Sequence, residues 1–221
     1  MTGCLLFDLD GTLVDTDHLH LAAFNRLFAE HGFELDRTAY TARVMGRPNS
    51  EIAADLLPHL EPAVGLALLD RKESAFRDMV GALSPTEGLI DLLDWAMAQG
   101  IPCGVVTNAP RANAELVLEA LGIADRFEVV IIGSELAAAK PDPLPYLTGL
   151  QRLGGAAARS VAFEDSPTGM RAALGAGLTL VGVTTSLQAD TMLDQGAHLA
   201  VPDFVDASVR ALIRERLSAP L

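Results

Sequence analysis

Two aspartates set the chemistry of this chain, Asp8 and Asp10 in "FDLDGTLVDTD". They leave an apolar run, Cys4–Asp8, with the character of a buried strand, and residues two apart share one face of an extended chain. Other polar groups recur where apolar runs end. Thr107 and Asn108 close "CGVVTN", Lys140 sits in "AAAKPDP", and Glu164 and Asp165 close "SVAFED". In open α/β sheets the ligand lies beyond the carboxyl ends of the strands, so these groups would converge on one rim. Four carboxylates at one edge repel one another unless a cation shares the site. Oxygen ligands without His or Cys suit a hard ion such as Mg²⁺, with Asp8, Asp165 and Glu164 as its carboxylates. Lys140 cannot ligate a metal, but it can neutralise an anion. Thr107 and the amides opening a helix at Pro110 can donate to a phosphate. Such a set suits phosphoryl chemistry.

The elements that would position these groups follow from the pattern of apolar residues. Five bursts read as strands covered on both faces: Cys4–Asp8, Cys103–Asn108, Val129–Ile132, Ser160–Asp165 and Leu178–Val183. They lack polar alternation, as strands of a buried parallel sheet do. Helical patterns lie between them, over Thr86–Gln99, Pro110–Leu121, Pro143–Leu153 and Pro167–Ala176. Several have Pro at the start and Gly just past the end. This alternation predicts an α/β fold with a doubly wound, Rossmann-like parallel sheet.

Residues 16–83 break the rhythm and contain no convincing strand. Helices are predicted within Asp15–Gly32, with Gly32 as the stop, then over Arg37–Val44, Asn49–Leu57 and Pro62–Val80. In the first, Leu19, Ala22, Ala23, Leu27 and Phe28 form one apolar face. Residues 16–83 are therefore expected to be a small all-helical cap inserted after the first strand, and residues 1–15 and 84–221 the catalytic core. Thr16 or Asp15 is placed to cap the first cap helix. Asp17 is read as a first-turn carboxylate favourable to its dipole, a structural role. Ser166 is placed to cap the helix at Pro167, and Trp95 is expected in the core.

"DLDGT", "VVTN", "AAAKPDP" and "FEDSPTG", in this order with a helical insert after the first, resemble the four motifs of the haloacid dehalogenase-like hydrolase superfamily. The insert resembles the cap of the branch containing β-phosphoglucomutases and small-molecule phosphatases. The resemblance implies that Asp8 is a nucleophile forming an aspartyl-phosphate, and that Asp10 is the general acid and base. Asp10 would then need a raised pKa. It further implies Mg²⁺ held by Asp8, Asp10 and Asp165 with Glu164 close, and Thr107, Asn108 and Lys140 around the transferring phosphoryl group. In the cap, His20 matches a residue that approaches the general acid, Arg47 in "MGRPNS" could clamp an anion, and Lys72 matches a lysine of sugar-phosphate enzymes. The expected activity is Mg²⁺-dependent hydrolysis of a small phosphorylated metabolite.

Three alternatives use related parts. A β-phosphoglucomutase would share the Asp8 chemistry, but Arg47 stands off the Gly-x-x-Arg register associated with the mutase cap. A haloacid dehalogenase needs neither Asp10 nor the Glu164–Asp165 pair. A phospho-switch of the receiver type carries its acidic pair before the acceptor and has no cap.

Composition bounds the rest. The 221 residues are 50% hydrophobic, enough for a sizeable core. With 16 basic against 29 acidic residues the net charge is −13, so no cationic footprint for nucleic acid exists. No apolar span reaches membrane length. Cys4 and Cys103, each in a predicted strand, read as buried thiols of a cytoplasmic protein. A monomer is expected.

Overall fold

The computed structural model describes residues 2–29 and 34–218. Strands β1 (Leu5–Phe7), β2 (Cys103–Thr107), β3 (Val129–Ile132), β4 (Val161–Glu164), β5 (Thr179–Val183) and β6 (Leu199–Val201) form one sheet, ordered β3-β2-β1-β4-β5-β6. Every pairing is parallel. The four central strands are buried along their whole length, which explains their unbroken apolar character. Successive residues still point to opposite faces. Leu5, Phe7, Val105, Phe163 and Val181 join one core cluster, whereas Leu6, Val106, Ala162 and Leu180 join the other. Phe7 and Phe163, paired in register, stack with centroids 4.5 Å apart. Cys4 and Cys103 are buried free thiols.

Helices α5 (Leu89–Ala98), α6 (Arg111–Ala120), α7 (Leu144–Leu153), α8 (Pro167–Gly175), α9 (Ala189–Asp194) and α10 (Ala207–Leu217) cover the sheet. The first four lie where Pro and Gly bracket apolar periodicity. The Ser166 hydroxyl caps α8 as expected, accepting from the Gly169 N–H. Strand β6 has no counterpart in the sequence reading. Its three residues form too short an apolar burst, and two are only half-buried. Trp95 packs against the core from its margin, half-buried under the Arg214 guanidinium.

Four helices, α1 (Asp17–Phe28), α2 (Arg37–Arg43), α3 (Asn49–Leu56) and α4 (Pro62–Met79), occupy the chain between β1 and α5. The stop expected at Gly32 lies outside the described residues. These helices enclose their own cluster, built on Phe24, Leu27, Phe28, Ile52, Leu68 and Leu69. Burying each such side chain contributes about 1.5–3 kcal/mol, so the insert has a core of its own. On α1, Ala22 is exposed, contrary to expectation, and Phe24 occupies the buried face. The reason is that α1 serves two clusters. Ala23 packs on the sheet core beside Phe76 of α4, while Phe24 turns into the insert.

No helix among the described residues is long and apolar enough to cross a membrane.

Candidate active site

The chain winds outward from β1 in both directions, and the loops after β1 and β4 part at the switch point. Asp8 is the first residue past β1. Its N–H donates to the Phe163 carbonyl at 3.0 Å, which extends the pairing one step and fixes where the carboxylate emerges. Lys140, from the loop after β3, places its Nζ 2.6 Å from Asp8 Oδ1 and 2.6 Å from Glu164 Oε1. Glu164 also accepts from the Tyr146 hydroxyl at 2.7 Å and from Ser166 Oγ at 3.3 Å. Asp165 accepts from Ser186 Oγ at 2.5 Å and from Thr12 Oγ1 at 3.5 Å. Gly11 makes this approach possible. Its φ is +79°, and a Cβ there would lie 2.1 Å from Asp165 Oδ2.

Burial and the neighbouring Glu164 charge push the Asp8 carboxyl up to about 8, against the pull of Lys140. Burial, Asp8 and Glu164 likewise hold Asp165 well above the usual carboxylate range. Burial disfavours the Lys140 ammonium, but Asp8 and Glu164 outweigh it and its pKa rises. Three carboxylates therefore crowd a site that one ammonium does not neutralise. Oxygens of Asp8, Glu164 and Asp165 all lie within 4.8 Å of one another, a donor set that fits a hard divalent cation.

Asp10 corrects the sequence expectation of a raised pKa. Burial pulls its carboxyl upward, but hydrogen bonding and charge from His20, with Thr16 and Lys72, bring it below the usual value. Thr16 Oγ1 donates to Asp10 Oδ1, and His20 Nε2 stands 3.5 Å from the same oxygen. Thr16 is thus the N-cap residue of α1 without capping it by its side chain, because the hydroxyl serves Asp10 instead.

His20, 9% exposed, is stacked on Phe76 with ring centroids 3.9 Å apart. Its Nδ1 is 3.2 Å from Lys72 Nζ. Lys72 continues to Glu73 Oε1 at 2.8 Å. Glu73 accepts from Asn49 Nδ2 at 2.9 Å and from Asn113 Nδ2 at 2.7 Å, and Arg77 donates to Asn113 Oδ1 at 2.8 Å. A buried polar chain therefore runs from Asp10 through α1 and α4 to α6.

The remaining predicted residues line the same cleft, a narrow space of about 80 Å³. Thr107 is buried and its Oγ1 accepts from the Ala109 N–H at 2.9 Å. Asn108 lines the cleft as well; its Nδ2 donates to the carbonyls of Gly46 and Lys140, and its Oδ1 accepts from the Lys140 N–H, which ties the insert to the core. Arg47 lines the cleft, yet its guanidinium is held by Asp55 at 3.0 Å and Glu51 at 3.3 Å.

Asp17 is the first-turn carboxylate of α1, as expected, and also faces the cleft. It is 4% exposed, lines the cleft, and accepts from the Tyr40 hydroxyl at 3.0 Å and Arg37 Nη2 at 3.2 Å. Sequence reasoning missed Tyr40, Glu73, Asn113 and Ser186. None belongs to a motif, and only their distant partners reveal them.

The comparisons with known proteins agree with this geometry. Residues 5–183 match the family described as haloacid dehalogenase-like hydrolase. Validoxylamine A 7'-phosphate phosphatase of Streptomyces hygroscopicus subsp. limoneus is 34% identical, over 86% of this chain and 89% of that protein. Phosphoglycolate phosphatase of Xylella fastidiosa is 33% identical, over 90% and 92%. Among solved structures, CbbY of Rhodobacter sphaeroides in complex with xylulose-(1,5)bisphosphate matches with a TM-score of 0.83 and 30% identity, covering 93% of this chain and 96% of that one. The chain belongs to the haloacid dehalogenase-like hydrolase family. It is an enzyme of the phosphoric monoester hydrolase class.

Proposed function

We propose that this protein is a Mg²⁺-dependent phosphatase of a small phosphorylated metabolite, working through an aspartyl-phosphate on Asp8. The observation that carries the reading is the buried Asp8–Lys140–Glu164 contact, with both oxygens 2.6 Å from one ammonium and Asp165 alongside. Asp8, Asp165 and the Asp10 backbone carbonyl would hold the ion, with Glu164 close by. When bound, Mg²⁺ neutralises phosphoryl charge and keeps Asp8 ionised.

Asp8 attacks phosphorus, the bond to the leaving oxygen breaks, and Asp10 gives that oxygen a proton. Water then attacks the aspartyl-phosphate and returns a proton to Asp10, releasing inorganic phosphate. Lys140 neutralises the phosphoryl group throughout. Thr107 and Asn108, which line the cleft, would donate to its oxygens. In the substrate-free site Asp10 is a base, since His20 and Thr16 stabilise its anion. An arriving phosphate dianion raises its proton affinity and converts it to the acid the first step needs. Residues 16–83 act as the cap, excluding water from the aspartyl-phosphate until the alcohol departs.

Release of inorganic phosphate from a panel of phosphorylated metabolites tests this. Turnover should vanish with a chelator and return with Mg²⁺. Conversion of β-glucose 1-phosphate to glucose 6-phosphate without net phosphate release would instead establish a mutase.

A further inference from the structure

The polar chain that begins at Asp10 ends in the core, on Asn113, and passes through Glu73. Lys72, Glu73 and Asn113 are only 3%, 4% and 1% exposed, so each must be satisfied inside the fold. Adjacent residues of a helix project about 100° apart and do not ordinarily face each other. Lys72 and Glu73 of α4 nevertheless meet at 2.8 Å. Partners on other elements draw them together. Lys72 Nζ stands 3.2 Å from His20 Nδ1 on α1 and 4.5 Å from the centre of the Phe24 ring. Glu73 Oε1 also accepts from Asn49 Nδ2 of α3, and Oε2 accepts from Asn113 Nδ2 at 2.7 Å. Asn113 alone among these residues lies outside the insert. It sits in the first turn of α6, the core helix that follows Thr107, Asn108 and Pro110 at the cleft. Its Oδ1 accepts from Arg77 of α4, so both ends of the amide are committed to the insert.

Charge balance does not call for this amide. Lys72 already neutralises Glu73, and Asn49 supplies a donor from within the insert. What Asn113 adds is a fixed place for Glu73 relative to the sheet that carries Asp8 and Asp10. We infer that Glu73 is a positioning residue of the reaction: seated on the core by Asn113, it holds Lys72 against His20, and so sets the ring that faces Asp10. This rests on the phosphatase reading above, in which Asp10 is the acid and base, and deepens it. Without Asn113, Glu73 keeps Lys72 and Asn49 but loses its anchor to the core, while Asp8 and Lys140 still meet the phosphoryl group. The loss therefore falls on proton transfer at Asp10, and on kcat more than on KM.

The test is a double-variant cycle on the intact protein at saturating Mg²⁺. Its substrate is the member of the metabolite panel above from which the unmodified enzyme releases phosphate fastest. Asn113→Ala should lower kcat about tenfold and change KM less than about threefold. Lys72→Met should lower kcat at least as far. Because Asn113 acts through Lys72, adding Asn113→Ala to Lys72→Met should cost no more than about a further twofold. Glu73→Gln, which keeps the shape and removes the charge, should repeat the pattern in the same cycle, and it serves alone where Asn113→Ala does not fold. A full tenfold loss in both backgrounds would show that Asn113 and Glu73 act independently of Lys72, and overturns the inference while the phosphatase reading stands. Unchanged kcat in Glu73→Gln or in Lys72→Met overturns it equally. Phosphate release from no member of the panel by the unmodified enzyme overturns the phosphatase reading, and the inference with it.

Discussion

Lys140 Nζ and Asp8 Oδ1 stand 2.6 Å apart although 132 residues separate them in the chain. One comes from the loop after β3 and the other from the end of β1, so the fold alone creates the pair. Around it the negative charge is uncompensated, and that imbalance has consequences for stability.

Asp8 is held near 8 in the fold, against about 3.8 when unfolded. Between these values the native state binds the extra proton. Stability of the metal-free protein therefore falls as pH rises from about 4 to about 8. Asp165, shifted in the same direction, adds to the fall. Mg²⁺ should reverse it, raising Tm more at pH 8 than at pH 5. Thermal melts with chelator and with Mg²⁺ check this, and an equal metal shift at both pH values would contradict it.

Removing the His20 ring takes away the main group holding Asp10 low. In His20→Gln the pH-profile limb that belongs to Asp10 should move to higher pH. The loss in kcat should be on the order of 10- to 100-fold, with KM changed less, because Asp8 and Lys140 remain. An unmoved limb would detach His20 from Asp10.

The Glu73–Asn113–Arg77 contact joins α4 to α6 across the cleft wall. Asn113→Ala leaves a nearly buried carboxylate and a guanidinium short of a partner. It should cost about 1–3 kcal/mol of stability in urea unfolding. Asn113→Asp should be worse, since it places two carboxylates face to face.

Gly11→Ala combines a left-handed backbone with a Cβ placed on the Asp165 carboxylate. The backbone alone costs about 1–2 kcal/mol. Displacement of Asp165 should also weaken Mg²⁺ binding, measurable by titration calorimetry. Gly122, at φ +67° but with open space around its Cβ position, should show the backbone cost without the loss of metal affinity.

Much of this was legible in the sequence, for a physical reason. Buried parallel strands are apolar at every residue, so the four central ones announce themselves, and their polar ends mark the rim. Asp8, Lys140, Glu164 and Asp165 fall at those ends. Strand β6 did not show, because an edge strand of three residues, two of them only half-buried, has no such signature. The behaviour of Asp10, Asn108 and Asp17 was also invisible. Each depends on a partner at long sequence distance or in the insert: Lys72 for His20 and Asp10, Gly46 for Asn108, and Tyr40 for Asp17. Spacing along a strand predicts which face a residue occupies, but not which donor from another helix will meet it.

The central claim is that Asp8 is the nucleophile. Asp8→Asn keeps the size of the side chain and removes the attacking oxygen anion. Phosphate release at saturating Mg²⁺, on a monoester the unmodified enzyme hydrolyses, should fall by about 10⁴-fold or more in this variant. Turnover within about tenfold of the unmodified enzyme would contradict the account.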